Sequence, residues 1–138
     1  MNTSAPSLVL RFLVIPVLAI PLAAMADPKQ DCLVAGRVFE EAFRSDVLQL
    51  AYGERTDWRR VDYYMLPKEM QDRIEADVVH MRPSIESAIV DTKKEIPNWK
   101  RQGMDGDHMA REILIKGSKG LGENYSINCL KELPSKAR

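Results

Sequence analysis

The chain has 138 residues, 45% of them hydrophobic and 29% charged, with 20 basic against 20 acidic side chains. This is one domain's worth of ordinary globular composition, which argues against disorder, collagen repeats and a bundle of membrane spans. The even charge leaves no basic face for nucleic acid, so no nucleic-acid partner is expected.

The first 26 residues differ from the rest. Arg11 is the only charged side chain before Asp27, the run 12–24 is apolar, and Ala24-Met25-Ala26 offers small residues at a cleavage site. Together these predict a secretory signal peptide, 1–26, cut after Ala26. The apolar run is shorter than the ~20 residues that a span needs. Pro16 and Pro21 interrupt it as well, so a retained anchor is the weaker reading. Cys32 lies six positions past the cut, too far for a lipoprotein attachment. Cleavage leaves one domain, 27–138, with 19 basic residues (20 less Arg11) against 20 acidic ones. The expected location is the periplasm or the medium, with no stable membrane anchor after cleavage.

In chain order, Asp27-Pro28-Lys29-Gln30 carries an N-cap residue, a first-turn proline and a glutamine at the third helical position. A helix is predicted over 28–51, with Ala35, Val38, Phe39, Ala42 and Leu50 inward and Gly53 as its stop. Thr56-Asp57 predicts the cap of a two-turn helix bearing Trp58, Val61 and Met65 as its stripe, broken at Leu66-Pro67. Met70, Ile74, Val78, Met81, Ile85 and Ile89 step by three or four and predict a long helix. Pro83 inside that series predicts a kink or break near Arg82, with a second half over 83–96. The stretch 97–106 reads as a loop anchored by Trp99, followed by a helix over 108–116 capped by Asp107, with Met109, Ile113 and Leu114 inward. Three glycines within 116–122 predict a turn or open loop, then a terminal helix over 123–133 and a frayed tail, 133–138. No window alternates with period two. The fold expected is an all-α bundle of four to six helices.

Cys32 and Cys129 are the only cysteines, 97 positions apart (129 less 32). In an oxidising compartment an even pair reads first as a bridge. Cys32 shares a helical face with Ala35, Phe39 and Ala42, and Cys129 with Tyr125 and Leu133, so a bridge would clamp the first helix to the last. Neither cysteine has a neighbouring histidine, and no Cys-x-x-Cys occurs, so a redox or nucleophilic thiol is disfavoured. Closing a loop near 100 residues is worth about 4–5 kcal/mol in the chain-entropy model.

The segment 57–64 concentrates Trp58, Arg59, Arg60, Tyr63 and Tyr64, the residue types enriched at protein–protein hot spots. On a helix, Tyr63 points away from Val61 and Tyr64, so it is expected outside beside Arg59 and Arg60. The plainer alternative puts Trp58 and Tyr64 in the core and Tyr63 on the helix rim.

His80-Met81, His108-Met109 and Met104 supply imidazole and thioether groups of the kind that bind Cu(I) or Ag(I). Neighbours on a helix diverge by about 100°, however, so core methionines with histidines on the rim fit better. Asp105 and Asp107 are too few for a Ca²⁺ loop. The glycines of 117–122 match a phosphate loop in composition only. No Gly-x-Ser-x-Gly occurs, and the acidic residues follow solvent-face spacing, so no enzyme and no cofactor is expected. The function expected is an exported, non-catalytic domain that binds another envelope or secreted protein, an inhibitor or immunity-type protein being its specific form. A periplasmic metal or small-ligand carrier using His80, Met104 and His108 is the alternative.

Overall fold

The computed structural model describes residues 27–135. The expected leader, 1–26, and the end of the expected frayed tail, 136–138, lie outside the described residues. Among the described residues six helices follow one another: α1 (Pro28–Tyr52), α2 (Val61–Met65), α3 (Lys68–Lys94), α4 (Ile96–Arg101), α5 (Gly106–Lys116) and α6 (Leu121–Glu132). No strand occurs among the described residues. The fold is an all-α bundle, as the periodicities require.

α1 starts where its cap dictates. The Asp27 carboxylate accepts the Lys29 backbone N–H at 3.0 Å, and Pro28 occupies the first turn, where its missing N–H costs nothing. Gly53 ends the helix in the left-handed region (φ 69°), and its N–H and that of Glu54 return to the carbonyls of Gln49 and Leu48. One face is buried from Cys32 through Ala35, Val38, Phe39 and Ala42 to Val47, Leu48 and Ala51. Leu50, expected inside, is 39% exposed. The inward stripe passes through Val47 and Ala51, four apart, and leaves Leu50 off the face.

α3 lies along α1, and its stripe is inward as predicted, with Ile74, Val78, Ile85 and Ile89 buried. Two core clusters result. One gathers Phe39, Ala42, Tyr63, Ile74 and Val78; the other gathers Val47, Ala51, Ile85, Ile89 and Leu114; Met81 packs against both. Of the kink or break expected near Arg82, the break does not occur: α3 runs through Pro83 to Lys94 as one helix. Proline inside a helix costs ~3 kcal/mol. Burying Ile85 and Ile89 returns roughly 1.5–3 kcal/mol each, and only a continuous helix keeps them in phase with Ile74 and Val78. Arg82 adds a two-pronged hold on Asp46 of α1, at 3.0 and 3.3 Å, beside the proline.

Two expectations in the next stretch are corrected. Residues 97–101, part of the stretch expected as a loop, belong to α4, since Pro97 sits in the first turn, where proline is tolerated. α5 is capped by Asp105, whose carboxylate accepts the His108 N–H at 3.1 Å, and not by Asp107, which pairs with Lys100 at 3.1 Å. The phase of α5 therefore buries Gly106, Ala110 and Leu114, while Ile113, expected inside, is 43% exposed and Met109 half-buried.

α6 packs back on α1 in the most extensive helix–helix contact of the fold. Cys32 and Cys129 are bonded, with their Cα atoms 5.5 Å apart. Between the bridge and the start of α6, Gly36 and Gly122 let the two backbones touch: a Cβ on Gly122 would stand 2.6 Å from the Gly36 carbonyl oxygen. Phe39 stacks on Tyr125 at 4.3 Å between ring centres, and the Tyr125 hydroxyl donates to Asp77 of α3 at 2.7 Å. The terminal helices are thus joined covalently and by close packing.

Candidate functional site

The segment between α1 and α3 is held from beneath. Thr56 donates its hydroxyl to Ser45 of α1 at 2.6 Å, and the Ser45 hydroxyl donates to the Thr56 carbonyl at 3.1 Å. Thr56 therefore fastens the loop to α1 and caps no helix. Residues 57–60 are not helical, and α2 begins only at Val61. Asp57 accepts the Arg59 N–H at 3.1 Å, which turns the chain so that Arg59 lies over the half-buried Trp58 ring, 4.2 Å from its centre.

Tyr63 overturns the sequence expectation. It is 4% exposed and belongs to the first core cluster. Its ring meets Trp58 edge-on at 5.3 Å, and its hydroxyl donates to the Glu75 carboxylate at 2.8 Å. The same Glu75 oxygen accepts Arg59 Nε at 2.7 Å. The Arg59 guanidinium, and then the Tyr63 hydroxyl, hold the Glu75 carboxyl below the usual carboxylate range. Burial, reinforced by Glu75, pushes the Tyr63 hydroxyl up, so the phenol stays a neutral donor. Trp58, Arg59, Tyr63 and Glu75 form one network, in which Tyr63 is buried while Trp58, Arg59 and Glu75 each keep part of their surface in solvent.

With Tyr63 inside, the opposite face of α2 points out. Val61, Tyr64 and Met65 occupy positions i, i+3 and i+4 and are 70%, 65% and 73% exposed. These are three of the largest exposures among the apolar side chains of the described residues. Tyr64, placed in the core by the plainer sequence reading, is outside; Val61 and Met65, assigned to the stripe, are outside too. The reason is phase. Counting Trp58 as helical sets the inward face through 58, 61 and 65, whereas a helix beginning at Val61 turns Tyr63 inward, with Leu66 buried just past its end. Gln71 secures that end by donating to the carbonyls of Leu66 at 2.9 Å and Tyr64 at 3.4 Å.

Arg60 precedes the stripe and is exposed. Its Nε donates to the Asp57 carbonyl at 3.2 Å, and no carboxylate among the described residues pairs with its guanidinium. Arg37 and Asp62 approach to 3.9 Å with both side chains more than half exposed, a contact worth little. Of the residues singled out from the sequence, Arg59 and Arg60 are where expected, Trp58 is half-buried, and Tyr63 is the anchor beneath. Val61, Tyr64, Met65 and Glu75 were missed. Glu75 carries no local signal, since its partners lie 12 and 16 positions away.

The metal candidates sit on separate elements. His80 is exposed on α3, His108 is exposed in the first turn of α5, and Met104 is 37% exposed in the loop before it. No group of three His, Cys, Asp or Glu side chains gathers at metal-binding distance among the described residues. The glycine-rich stretch 117–120 is a folded turn in which Ser118 is fully buried and donates to the Ile115 carbonyl at 2.6 Å. No described helix is long and apolar enough to cross a membrane. Comparison with protein-family models, with curated proteins and with solved structures finds no match to this chain, so the reading of the site rests on its own residues.

Proposed function

We propose that the protein is an exported, non-catalytic binding domain whose α2 knob captures another envelope or secreted protein. The observation that carries this reading is the exposure of Val61, Tyr64 and Met65 on one face of a helix whose other face is locked by Tyr63 and Glu75. Large apolar side chains in water gain ~25 cal/mol for each Å² that a partner covers. An interface residue already fixed in place loses little entropy on binding. Arg60 at the edge of the knob supplies the polar rim that interfaces place around an apolar centre. A convex knob suits a concave site on the partner, as an inhibitor or immunity-type protein would use it.

The test is capture from an envelope extract by immobilised protein. Wild type and the control Ile113→Ala should retain a common partner, and the double variant Tyr64→Ala/Met65→Ala should lose it. Equal capture by the double variant and wild type would remove α2 as the interface.

A further inference from the structure

Cys32 and Cys129 share a bond but not an environment. Cys32 lies on the inner face of α1 with no exposed surface. Cys129 is half-buried and forms part of the wall of a cavity of about 350 Å³ between α3 and α6, floored by Ala35 and Ile74. The mouth carries Arg73, Asp77 and Glu132. Arg73 and Glu132 are paired across it, with side chains 57% and 52% exposed. An exposed pair of this kind is worth about 0–1 kcal/mol, so it can part without disturbing the core. On the other side of the α1–α6 crossing, a cavity of about 390 Å³ is lined by Leu33, Arg37, Gly122 and Ser126 but not by Cys32, which the Gly36–Gly122 approach leaves covered.

We infer that Cys129 is the sulfur through which an external thiol–disulfide carrier makes and breaks this bond, with Cys32 as the resolving partner. Exchange requires a thiolate to reach a sulfur and passes through a mixed disulfide. In the oxidative direction the Cys129 thiolate attacks the carrier's disulfide. Its sulfur bonds to one carrier sulfur, and the other leaves as a thiolate. Cys32 then loses its proton and attacks Cys129 Sγ. The protein bond forms, the second carrier sulfur leaves, and two electrons have passed to the carrier as two thiols. In the reductive direction an external thiolate attacks Cys129 Sγ and expels Cys32 as the leaving group. Burial in apolar surroundings raises a thiol's pKa and makes it a poor leaving group. Reduction of the folded protein is therefore slow, and Cys32 recloses the bond by expelling the incoming thiol.

The native oxidised protein is incubated with reduced glutathione, quenched in acid and mapped by peptide mass. The glutathione adduct should sit on Cys129 at least about tenfold more often than on Cys32. In a second measurement, folded Cys32→Ser and Cys129→Ser variants, their helicity checked by circular dichroism, are treated with oxidised glutathione. The thiol left in Cys32→Ser should react at least about tenfold faster than the one left in Cys129→Ser, and concentrated guanidinium should abolish the difference. Equal labelling of the native protein, or labelling mainly on Cys32, overturns the inference. So does an adduct that forms at a rate independent of glutathione concentration, since attack would then wait for global unfolding. If either variant fails to fold, the mapping of the wild-type adduct decides alone.

Discussion

Gly36 of α1 and Gly122 of α6 stand in backbone contact: a Cβ on Gly122 would lie 2.6 Å from the Gly36 carbonyl oxygen and 2.9 Å from Glu40 Cβ. A Cβ on Gly36 would in turn run into Ser126 Oγ and the Gly122 carbonyl. Two of these obstacles are backbone atoms, which cannot swing aside. Gly36→Ala should therefore cost about 3 kcal/mol or more, the upper range for overpacking. Gly117→Ala is the control, because its Cβ would meet only ordinary contacts at 3.4 and 3.5 Å and its backbone is already helical. That variant should stay within about 0.5 kcal/mol of wild type. Urea unfolding of the three proteins checks the contrast.

The two tyrosines of α2 should separate cleanly. Tyr63→Ala removes a buried ring and one of the two hydrogen bonds to the Glu75 carboxylate, so a loss of about 3–5 kcal/mol is expected, as for other buried aromatic rings. Tyr64→Ala, at an exposed position, should change stability by less than about 0.5 kcal/mol. Thermal unfolding followed by circular dichroism reads both, and similar losses would place the wrong tyrosine in the core.

Reduction of Cys32–Cys129 releases a loop of 97 residues. The chain-entropy model predicts a loss of about 4–5 kcal/mol for a loop of that length. Packing at Gly36–Gly122 and the Phe39–Tyr125 stack do not depend on the bridge, so the reduced chain should retain helical signal while unfolding at lower denaturant. Paired denaturation curves with and without reductant measure the difference.

Acid should weaken the fold through three carboxylates. Glu75, Glu132 and Glu54 are each held below their ordinary value of 4.5, chiefly by hydrogen bonds from Arg59, Arg73 and Arg111. A carboxyl with a depressed pKa in the folded state contributes stability that is present above its unfolded pKa and lost as pH falls through the folded one. Stability should therefore fall below about pH 4.5. All three are substantially solvent-exposed, so each contribution is small. Glu75→Gln should flatten part of that slope, read from unfolding curves at a series of pH values.

Pro83 offers a gain. It is exposed, and α3 passes through it without a break. Pro83→Ala returns an N–H to the ladder at a site where the backbone is already helical. Up to about 3 kcal/mol of added stability is expected, with a higher melting temperature as the readout.

The stripe of α3 and the pairing of Cys32 with Cys129 were legible because a helical period and a lone pair of cysteines are encoded in spacing alone. The region 57–66 was not. A five-residue helix holds barely more than one turn of pattern, and its phase depends on where the preceding loop ends. That point is set by Ser45 with Thr56 and by Tyr63 with Glu75, contacts that local spacing does not record. α4 was hidden for a different reason: Pro97 reads as a breaker, although the first turn of a helix accepts it. The Gly36–Gly122 crossing was equally invisible, since a glycine within a helical pattern does not announce which neighbour it admits.

Because the bridge joins α1 to α6, it also decides how the molecule carries load. Tension applied outside positions 32 and 129 runs from one chain end to the other through two sulfur atoms and bypasses every helix between them. Pulled at points just outside that pair, the oxidised protein would give up none of the chain between them, and the knob on α2 would keep its shape under strain.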